Sequence, residues 1–266
     1  MNALTGVVGK FAERTRLVFE LAKRDLHVRY LGSYLGFLWA FIQPVVSVLI
    51  YWFVFQIGFK SRPINDVPFI LWFVPALLSW TFFSDGLTGA TNSITDSSYL
   101  VKKMVFPIGS LPIIKIMSSL FVHLFFVVFM LLMFLMYGYG FSVYEVQIVY
   151  YLFATIVLLM GLSEITASLM VFFRDLGQLV VMVLQFAFWL TPIFWSPLLL
   201  HGKLSLVAKL NPMYYIVQGY RNSFIYHRWF WQDLHITLYF WTVSLVLLIA
   251  GRMFMHRLRP HFADVL

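Results

Sequence analysis

Asp85, His123 and Glu164 are ionisable side chains that lie well inside long apolar stretches of this chain. An ionisable residue in such a stretch is a functional candidate, because a charge is costly to bury in hydrocarbon. The three are far apart in the sequence, whereas a proton-coupled carrier needs several such groups close together. The chain also lacks the HExxH spacing of a zinc enzyme and the GxxxxGK[ST] phosphate loop. We therefore expect no catalytic residue, no metal site and no cofactor bound by this chain.

Aromatic side chains offer a second chemistry, because their flat faces pack on sugar rings through broad, weakly directional contacts. The candidates lie in two apolar runs: Trp39 and Phe41 in the first, and Phe186, Phe188, Trp189, Phe194 and Trp195 in the fifth. Gln43, beside Pro44, adds a polar group that needs a partner. Lipid-facing bulk and interfacial aromatic belts are the alternative interpretation. This alternative is sufficient for any one of these aromatic residues, whereas the set as a whole favours a substrate path.

The composition places these residues in a membrane protein. Of 266 residues, 61% are hydrophobic, 20% aromatic and only 11% charged. A soluble domain of this size cannot bury so much apolar surface. The absence of cysteine excludes disulfides, thiolate metal sites and cysteine catalysis. The net charge of +8 is distributed as in a membrane protein, so we expect no nucleic-acid partner.

Six apolar runs predict an all-α, polytopic protein. They cover residues 35–59, 69–94, 113–139, 146–173, 179–195 and 234–255. All but the fifth reach the roughly 20 residues of a membrane-spanning helix. With both termini in the cytoplasm, thirteen Lys and Arg residues lie inside and six outside, which is the arrangement that the positive-inside rule favours. The first thirty residues resemble no cleavable signal peptide, so we expect the first span to direct insertion.

The N-terminal region, residues 1–32, precedes the predicted transmembrane domain of residues 33–266. Residues 13–30 have apolar and charged side chains on opposite halves of a helix, as in a helix lying at the membrane surface. Asp25 and Arg29 project from the apolar half. Because they are four residues apart, we expect them to pair and to face protein rather than lipid.

Three further segments carry predictions. The second run turns polar at SDGLTGATNSITDSS, so this half lines an internal surface or leaves the membrane early. Arg174 and Asp175 form a charged cytoplasmic loop before the short fifth run, which Pro192 interrupts.

About thirty residues between the fifth and sixth runs contain two apolar stretches too short to cross the membrane. They predict re-entrant helices, which must be covered by protein or line a water-filled cavity.

Four of these segments, in this order, resemble the membrane subunit of ABC-2-type polysaccharide exporters. They are RDLHVRYLGSYLGFLWAFIQP, WTFFSDGLTGATNSITDSSYLVKKMVFP, FFRDLGQLVVMVLQFAFWLTPIFWSP and LNPMYYIVQGYRNSF. The resemblance covers nearly the whole chain. This group exports O-antigen, capsular polysaccharide and wall teichoic acid across the bacterial cytoplasmic membrane. Glu164 departs from the pattern, in which we expect an apolar or small residue.

The resemblance implies a homodimer that binds two copies of a separate ATPase subunit, which hold the ATP and Mg²⁺. It implies a substrate carried on an undecaprenyl-diphosphate-type lipid, and a central path lined by the first and fifth helices. It also implies ATPase contacts at Arg24, Asp25, Arg29, Lys102 and Lys103. An ABC-2 exporter of a small hydrophobic compound and a polytopic enzyme acting on a lipid-linked glycan remain the alternatives.

Overall fold

The computed structural model describes residues 2–30, 34–60, 63–64, 67–99, 107–199 and 202–266, and these residues are almost entirely helical. Their α-helices are α1 (Asn2–Tyr30), α2 (Trp39–Trp52), α3 (Phe69–Asp96), α4 (Leu111–Met136), α5 (Gln147–Met170), α6 (Leu176–Leu190), α7 (Lys203–Leu210), α8 (Pro212–Arg221), α9 (Leu234–Leu258) and α10 (Phe262–Val265). A π-helical turn, Phe53–Gly58, extends α2. The predicted all-α class is confirmed.

Five helical segments in the described part of the chain are long and apolar enough to cross a membrane. They are Trp39–Gly58, Phe69–Asp96, Ile108–Met136, Val143–Met170 and Phe230–His261. They coincide, within a few residues at most of their ends, with five of the six predicted runs. The predicted fifth span corresponds to α6, which has only 15 residues, so the sixth crossing stays a prediction.

The prediction for α6 was wrong at its C-terminal end: the run of residues 179–195 is a helix over Leu176–Leu190. Thr191 has φ −78° and ψ 137°, an extended conformation. It precedes Pro192, and the proline ring disfavours the helical conformation of the residue before it. Phe194 and Trp195 therefore lie beyond the helix. At 1.5 Å per residue, α6 spans about 22 Å against the ~30 Å of a hydrocarbon core.

Helix α3 is the centre of the bundle. Leu71, Trp72 and Phe73 are inaccessible to solvent, and α3 packs against α4, α5, α6 and α8. The polar half of the predicted second run continues as helix to Asp96, and Leu87, Ala90 and Ile94 in this half are buried within the bundle. This burial agrees with the alternative in which the half lines an internal surface, while the point at which the helix leaves the membrane stays a prediction.

Helices α5 and α9 pack closely against each other, because glycines bring their backbones together. A Cβ atom on Gly251 would lie 2.6 Å from the carbonyl oxygen of Gly161. One turn along, Glu164 is 1% exposed, and its Oε1 lies 2.7 Å from Nη1 of Arg252. This contact accounts for the unexpected acidic residue: Glu164 forms an ion pair between the two helices.

The segment between α6 and α9 contains the two short helices that the sequence predicted there. Helix α7 is mostly exposed, whereas α8 is buried against α3, α5 and α9. Asn211 starts α8, and its side chain accepts a hydrogen bond from the backbone N–H of Met213 at 3.0 Å, with Pro212 at the first helical position. The burial of α8 matches the requirement that a re-entrant segment be covered by protein.

Helix α1 packs along α4. Ala22 and Leu26 are buried on this face, while Leu17 and Val28 of the predicted apolar half are exposed. The predicted pairing of Asp25 and Arg29 is confirmed, with 3.5 Å between Oδ2 and Nη2. Lys115 of α4 adds a closer ion pair, with its Nζ 2.6 Å from Oδ1 of Asp25. The carboxylate therefore joins α1 to α4, which confirms that it faces protein.

Candidate functional site

A polar cleft runs between α2, α3, α4 and α6. One cavity of about 460 Å³ lies between α2, α3 and α4, and Arg29 of α1 borders it. A second, of about 340 Å³, lies between α2, α3 and α6. The two cavities share Ser47, Thr81, Asp85 and Thr88. We call the combined space the cleft.

The polar wall of the cleft comes from one face of α3. Thr81, Asp85 and Thr88 are spaced four and three residues apart, which places their side chains in a row along a helix. Within the described part of the chain, the Asp85 carboxylate has no ion pair and no hydrogen bond, although Arg29 borders the same cavity. The carboxylate is exposed to the cleft, so it is available to a ligand that donates hydrogen bonds.

His123 also borders the cleft, but its ring is engaged within the bundle. Its Nε2 lies 2.8 Å from the hydroxyl of Tyr220 on α8, and its ring stacks on Phe82 at 4.7 Å between centroids. The residue is buried. Its observed role is to connect α3, α4 and α8. The described residues contain no group of three His, Asp or Glu side chains placed to hold a metal ion.

The predicted path residues of α2 divide between the cleft and the surface. Gln43 lines the cleft. Phe41 packs on Phe125 of α4, with 4.3 Å between ring centroids, and Trp39 is exposed. Of these three, only Gln43 lies beside Asp85.

Helix α6 has two distinct faces, which the sequence did not distinguish. Val181, Leu184, Gln185 and Phe188 line the cleft. Phe186 and Trp189 project away from it and are 68% and 62% exposed. The predicted path residues Phe186 and Trp189 thus lie on the surface of α6 that a second copy of the chain or lipid would cover.

Phe194 and Trp195 lie just after α6 and pack around its C-terminal end. The ring of Phe194 lies about 5 Å from five other rings, in a cluster that joins α2, α3 and α6; they belong to Tyr51, Phe55, Phe73, Phe188 and Trp189. Trp195 donates its indole N–H to the carbonyl of Trp189 at 3.0 Å. Both residues are engaged within the chain, so packing is their observed role.

The residues predicted to contact an ATPase fall into three groups. Arg24 is exposed on α1, whereas Asp25 and Arg29 form ion pairs within the chain. Lys102 and Lys103 lie outside the described residues. Arg174 and Asp175 are exposed at the turn before α6, as expected of a charged loop.

Sequence reasoning overlooked most of the cleft. Ser47, Thr81, Thr88 and Gln185 were not among the predicted path residues, and Asp85 was noted without a role. The spacing of Thr81, Asp85 and Thr88 was a readable signal for a polar helix face. No signal in the sequence of α6 distinguished Phe188 from its neighbours.

Comparison with known proteins decides the family. The family model for ABC-2 type transporters matches residues 16–225, most of the chain and every element that forms the cleft. This chain belongs to the ABC-2 type transporter family. It is a multi-pass integral membrane protein and a transport permease.

Individual relatives are similar over nearly the full length of this ABC-2 transporter. It is 31% identical over 250 residues to the O-antigen export system permease protein RfbA of Myxococcus xanthus, covering 93% of this chain and 94% of that protein. It is 26% identical over 255 residues to the protein of the same name from Klebsiella pneumoniae, covering 94% of this chain and 95% of that protein. At these coverages the alignments extend beyond residue 225, where the family match ends, and reach into α9.

Proposed function

We propose that this ABC-2 transporter is the membrane subunit of an ATP-driven exporter that moves a lipid-linked polysaccharide across the bacterial cytoplasmic membrane. The lipid is of the undecaprenyl-diphosphate type, and the polymer is an O-antigen, a capsule or a wall teichoic acid. The observation that carries the proposal is the near full-length similarity to O-antigen export permeases. The polar cleft through an otherwise apolar bundle supports it.

The chemistry of the cleft suits a hydroxyl-rich substrate. A carboxylate accepts hydrogen bonds from sugar hydroxyls, and the hydroxyls of Ser47, Thr81 and Thr88 both donate and accept them. Phe188 adds an aromatic wall on the α6 side. A small hydrophobic compound gains nothing from an unpaired carboxylate, and this disfavours that alternative cargo.

The proposed assembly is a homodimer with two copies of a separate ATPase subunit, which bind ATP and Mg²⁺. In this arrangement both termini are cytoplasmic, α1 lies at the cytoplasmic membrane surface, and α6 supplies the sixth crossing. Helices α7 and α8 then form the re-entrant pair at the outer end. The neighbours of α6 support its short length, because Arg221 on α8 holds its exit through hydrogen bonds to the carbonyls of Pro192 and Ile193.

We place the contact with the ATPase at Arg24, Lys102 and Lys103. Asp25 and Arg29 support this surface from within, since they join α1 to α4 and to each other. Reversing Lys102 and Lys103 to Glu should reduce co-purification of the ATPase while the chain still inserts, because charge pairs at such contacts set docking register and rate. Lys203→Glu, exposed on α7, is the control. Unchanged co-purification and unchanged transport in the double variant would refute this contact.

Reconstitution tests the function. The purified chain, with its ATPase, is placed in vesicles that contain radiolabelled lipid-linked polysaccharide, and protection of the polymer from an external glycosidase is followed with and without ATP. We expect an ATP-dependent change in accessibility that Asp85→Leu slows and Phe254→Leu, an exposed residue of α9, leaves intact. Transport of a small hydrophobic dye but not of the polymer would establish the alternative cargo. A covalently altered glycan without ATP would establish an enzyme.

A further inference from the structure

A cavity separate from the cleft, of about 380 Å³, lies at the end of the bundle opposite α1. Helix α1 packs near the start of α4, at Lys115, whereas the far end of α4 reaches this region through the contact of Phe134 with Phe224. The cavity is lined by α8, by residues between 222 and 233, by the start of α9, by Tyr151 of α5 and by residues 196–198 after α6. We call it the end pocket. Its volume falls in the range of small-molecule sites, about 300–1,000 Å³.

The end pocket presents hydrogen-bonding side chains that the protein itself leaves available. Asn222, Arg228 and Asp233 line it. Among the described residues, none of these three side chains has an ion pair or a hydrogen bond, and Arg228 and Asp233 do not pair with each other. The carboxylate accepts hydrogen bonds, the guanidinium donates them, and the amide can do both.

Aromatic rings form the rest of the wall. Tyr151, Tyr214 and Trp229 line the pocket, and Trp229 is held by stacking on Trp231, with 4.6 Å between centroids and 8° between planes. Flat rings beside hydroxyl-binding groups match a pyranose, which has an apolar face and a rim of hydroxyls. Aromatic stacking geometry adds about 0.5–1.5 kcal/mol to a contact beyond area burial.

The backbone around the end pocket is fixed from outside it. Gln147 of α5 donates to the carbonyl of Arg228 at 3.0 Å and accepts from the N–H of Phe230 at 2.8 Å. It therefore clamps the backbone on both sides of Trp229. Preorganised groups bind more tightly because less freedom is lost on binding. The pocket is thus a prepared site rather than a gap between loops.

We propose that the end pocket binds a saccharide unit of the exported polymer on the side away from the ATPase. This inference rests on the proposed function. Other ligand classes fit the lining less well: a phosphate would meet the Asp233 carboxylate beside a single guanidinium, and a cation would meet Arg228. A neutral sugar uses both groups, because its hydroxyls can donate hydrogen bonds to the Asp233 carboxylate and accept them from the N–H groups of Arg228. The site would hold the leading end of the chain while the next units cross the cleft.

Binding to the purified, full-length chain in lipid nanodiscs tests the site. The probe is the delipidated polysaccharide released by mild acid from the envelope of the cells that make this protein, and the readouts are calorimetry and saturation-transfer NMR. We expect the parent to bind, and Asp233→Asn and Trp229→Leu to weaken binding at least tenfold. Gln232→Ala, the neighbouring exposed side chain outside the pocket, should bind as the parent does. Melting temperatures confirm that each variant is folded.

The outcomes separate this inference from the proposed function. Parent-like affinity in both pocket variants, or no binding by a parent that transports the polymer, overturns the end pocket and leaves the exporter intact. Failure of ATP-dependent transport in the reconstituted parent refutes the proposed function itself. Binding that Asp85→Leu abolishes and the pocket variants keep would place the saccharide in the cleft instead.

Discussion

Arg221 shows how a single residue holds the region where α6 ends. Its side chain is fully buried and donates to the carbonyls of Trp72, Pro192 and Ile193 at 3.1, 2.6 and 2.9 Å. Its guanidinium also lies 3.3 Å from the ring centroid of Trp72. One of the three carbonyls belongs to α3, and the other two belong to the turn segment that follows α6. The buried cation thus replaces the hydrogen bonds that this segment loses when the helix stops.

Replacing Arg221 should therefore destabilise the bundle. In Arg221→Met the buried carbonyls of Pro192 and Ile193 lose their donor, at about 1–3 kcal/mol for each buried group left unpaired. Arg221→Lys should recover only part of the loss, because an ammonium lacks the planar fork that reaches several acceptors at once. The measurement is the unfolding free energy in a detergent titration, with the exposed Arg257→Met as control. An Arg221→Met variant as stable as the control would contradict this account.

Sequence reasoning succeeded for residues whose partners are close in the sequence. The spacing of Asp25 and Arg29 was enough to predict their pairing, but not the closer contact to Lys115, which is ninety residues away. The predicted topology places Arg221 among the six external Lys and Arg residues, because nothing in the neighbouring sequence reveals that α8 folds back between α3, α5 and α9. Glu164 was unexplained for the same reason: its partner Arg252 lies on another helix.

At the scale of elements, the pair formed by α5 and α9 depends on two glycines. A Cβ atom on Gly161 would lie 2.7 Å from the backbone carbonyl carbon of Leu247, and one on Gly251 would lie 2.6 Å from the oxygen of Gly161. Small residues allow helix backbones in a membrane to approach and to pack by van der Waals contact. The ion pair of Glu164 with Arg252 lies beside this contact and depends on the same close approach.

We expect Gly251→Ala to push α9 away from α5, because the obstructing atoms are backbone and cannot move independently. Overpacking of this kind lowers the free energy of unfolding by about 1–3 kcal/mol. Gly140→Ala is the matched control, since a Cβ atom there meets nothing within 4 Å. Thermal melting of the two purified variants gives the comparison. If Gly251→Ala melts with the control, the close approach of the two helices is wrong.

The two faces of α6 give the aromatic hypothesis a sharper form. Phe186 and Trp189 are exposed on one face, and Phe188 lines the cleft on the other. If flat rings on the exposed face guide the polymer between two copies, Phe186→Leu and Trp189→Leu should slow export. A loss of about 0.5–1.5 kcal/mol of stacking corresponds to roughly 2- to 12-fold. ATPase co-purification should persist.

The matched control is Phe254→Leu, an exposed phenylalanine on α9. ATP-dependent transport in the reconstituted vesicles is the measurement. If both α6 variants export at the parental rate, these two rings act only as apolar surface and do not guide the polymer. A loss confined to Phe188→Leu would instead place the polymer within the cleft of each chain.

The hydrophobic runs were enough to predict which segments form helices. They did not predict where each helix ends or which of its faces is buried. Five runs of sufficient length were found where predicted, because about 20 apolar residues have few alternatives to a spanning helix. Helix α6 ended at Leu190 because the conformation of Thr191 before Pro192 outweighed the apolar pattern that continues to Trp195. Its orientation about its own axis depends on packing with α3, which no local pattern encodes.

For the whole molecule, the unpaired apolar surface is informative. Helix α2 buries only Ala40 and Val48, and α6 buries only Val180 and Leu184. The outward faces of both helices carry large apolar side chains; they include Leu49, Ile50, Phe53, Val183 and Phe186. These two helices border the cleft, so a second copy placed against them would enclose a wider path than one chain provides. This is the geometric argument for the proposed homodimer.

Cysteine crosslinking can test the homodimer cleanly, because the chain has no cysteine of its own. Trp39→Cys and Trp189→Cys, alone and together, lie on the exposed faces of α2 and α6. In membranes treated with a mild oxidant or a short bifunctional reagent, we expect a band at twice the monomer mass for at least one pairing. Val246→Cys, equally exposed on α9, should give none, since α9 lies on the far side of α5 from the cleft. Persistent monomer in every pairing, together with a monomeric mass by light scattering in nanodiscs, would exclude the homodimer and return the path to the cleft of a single chain.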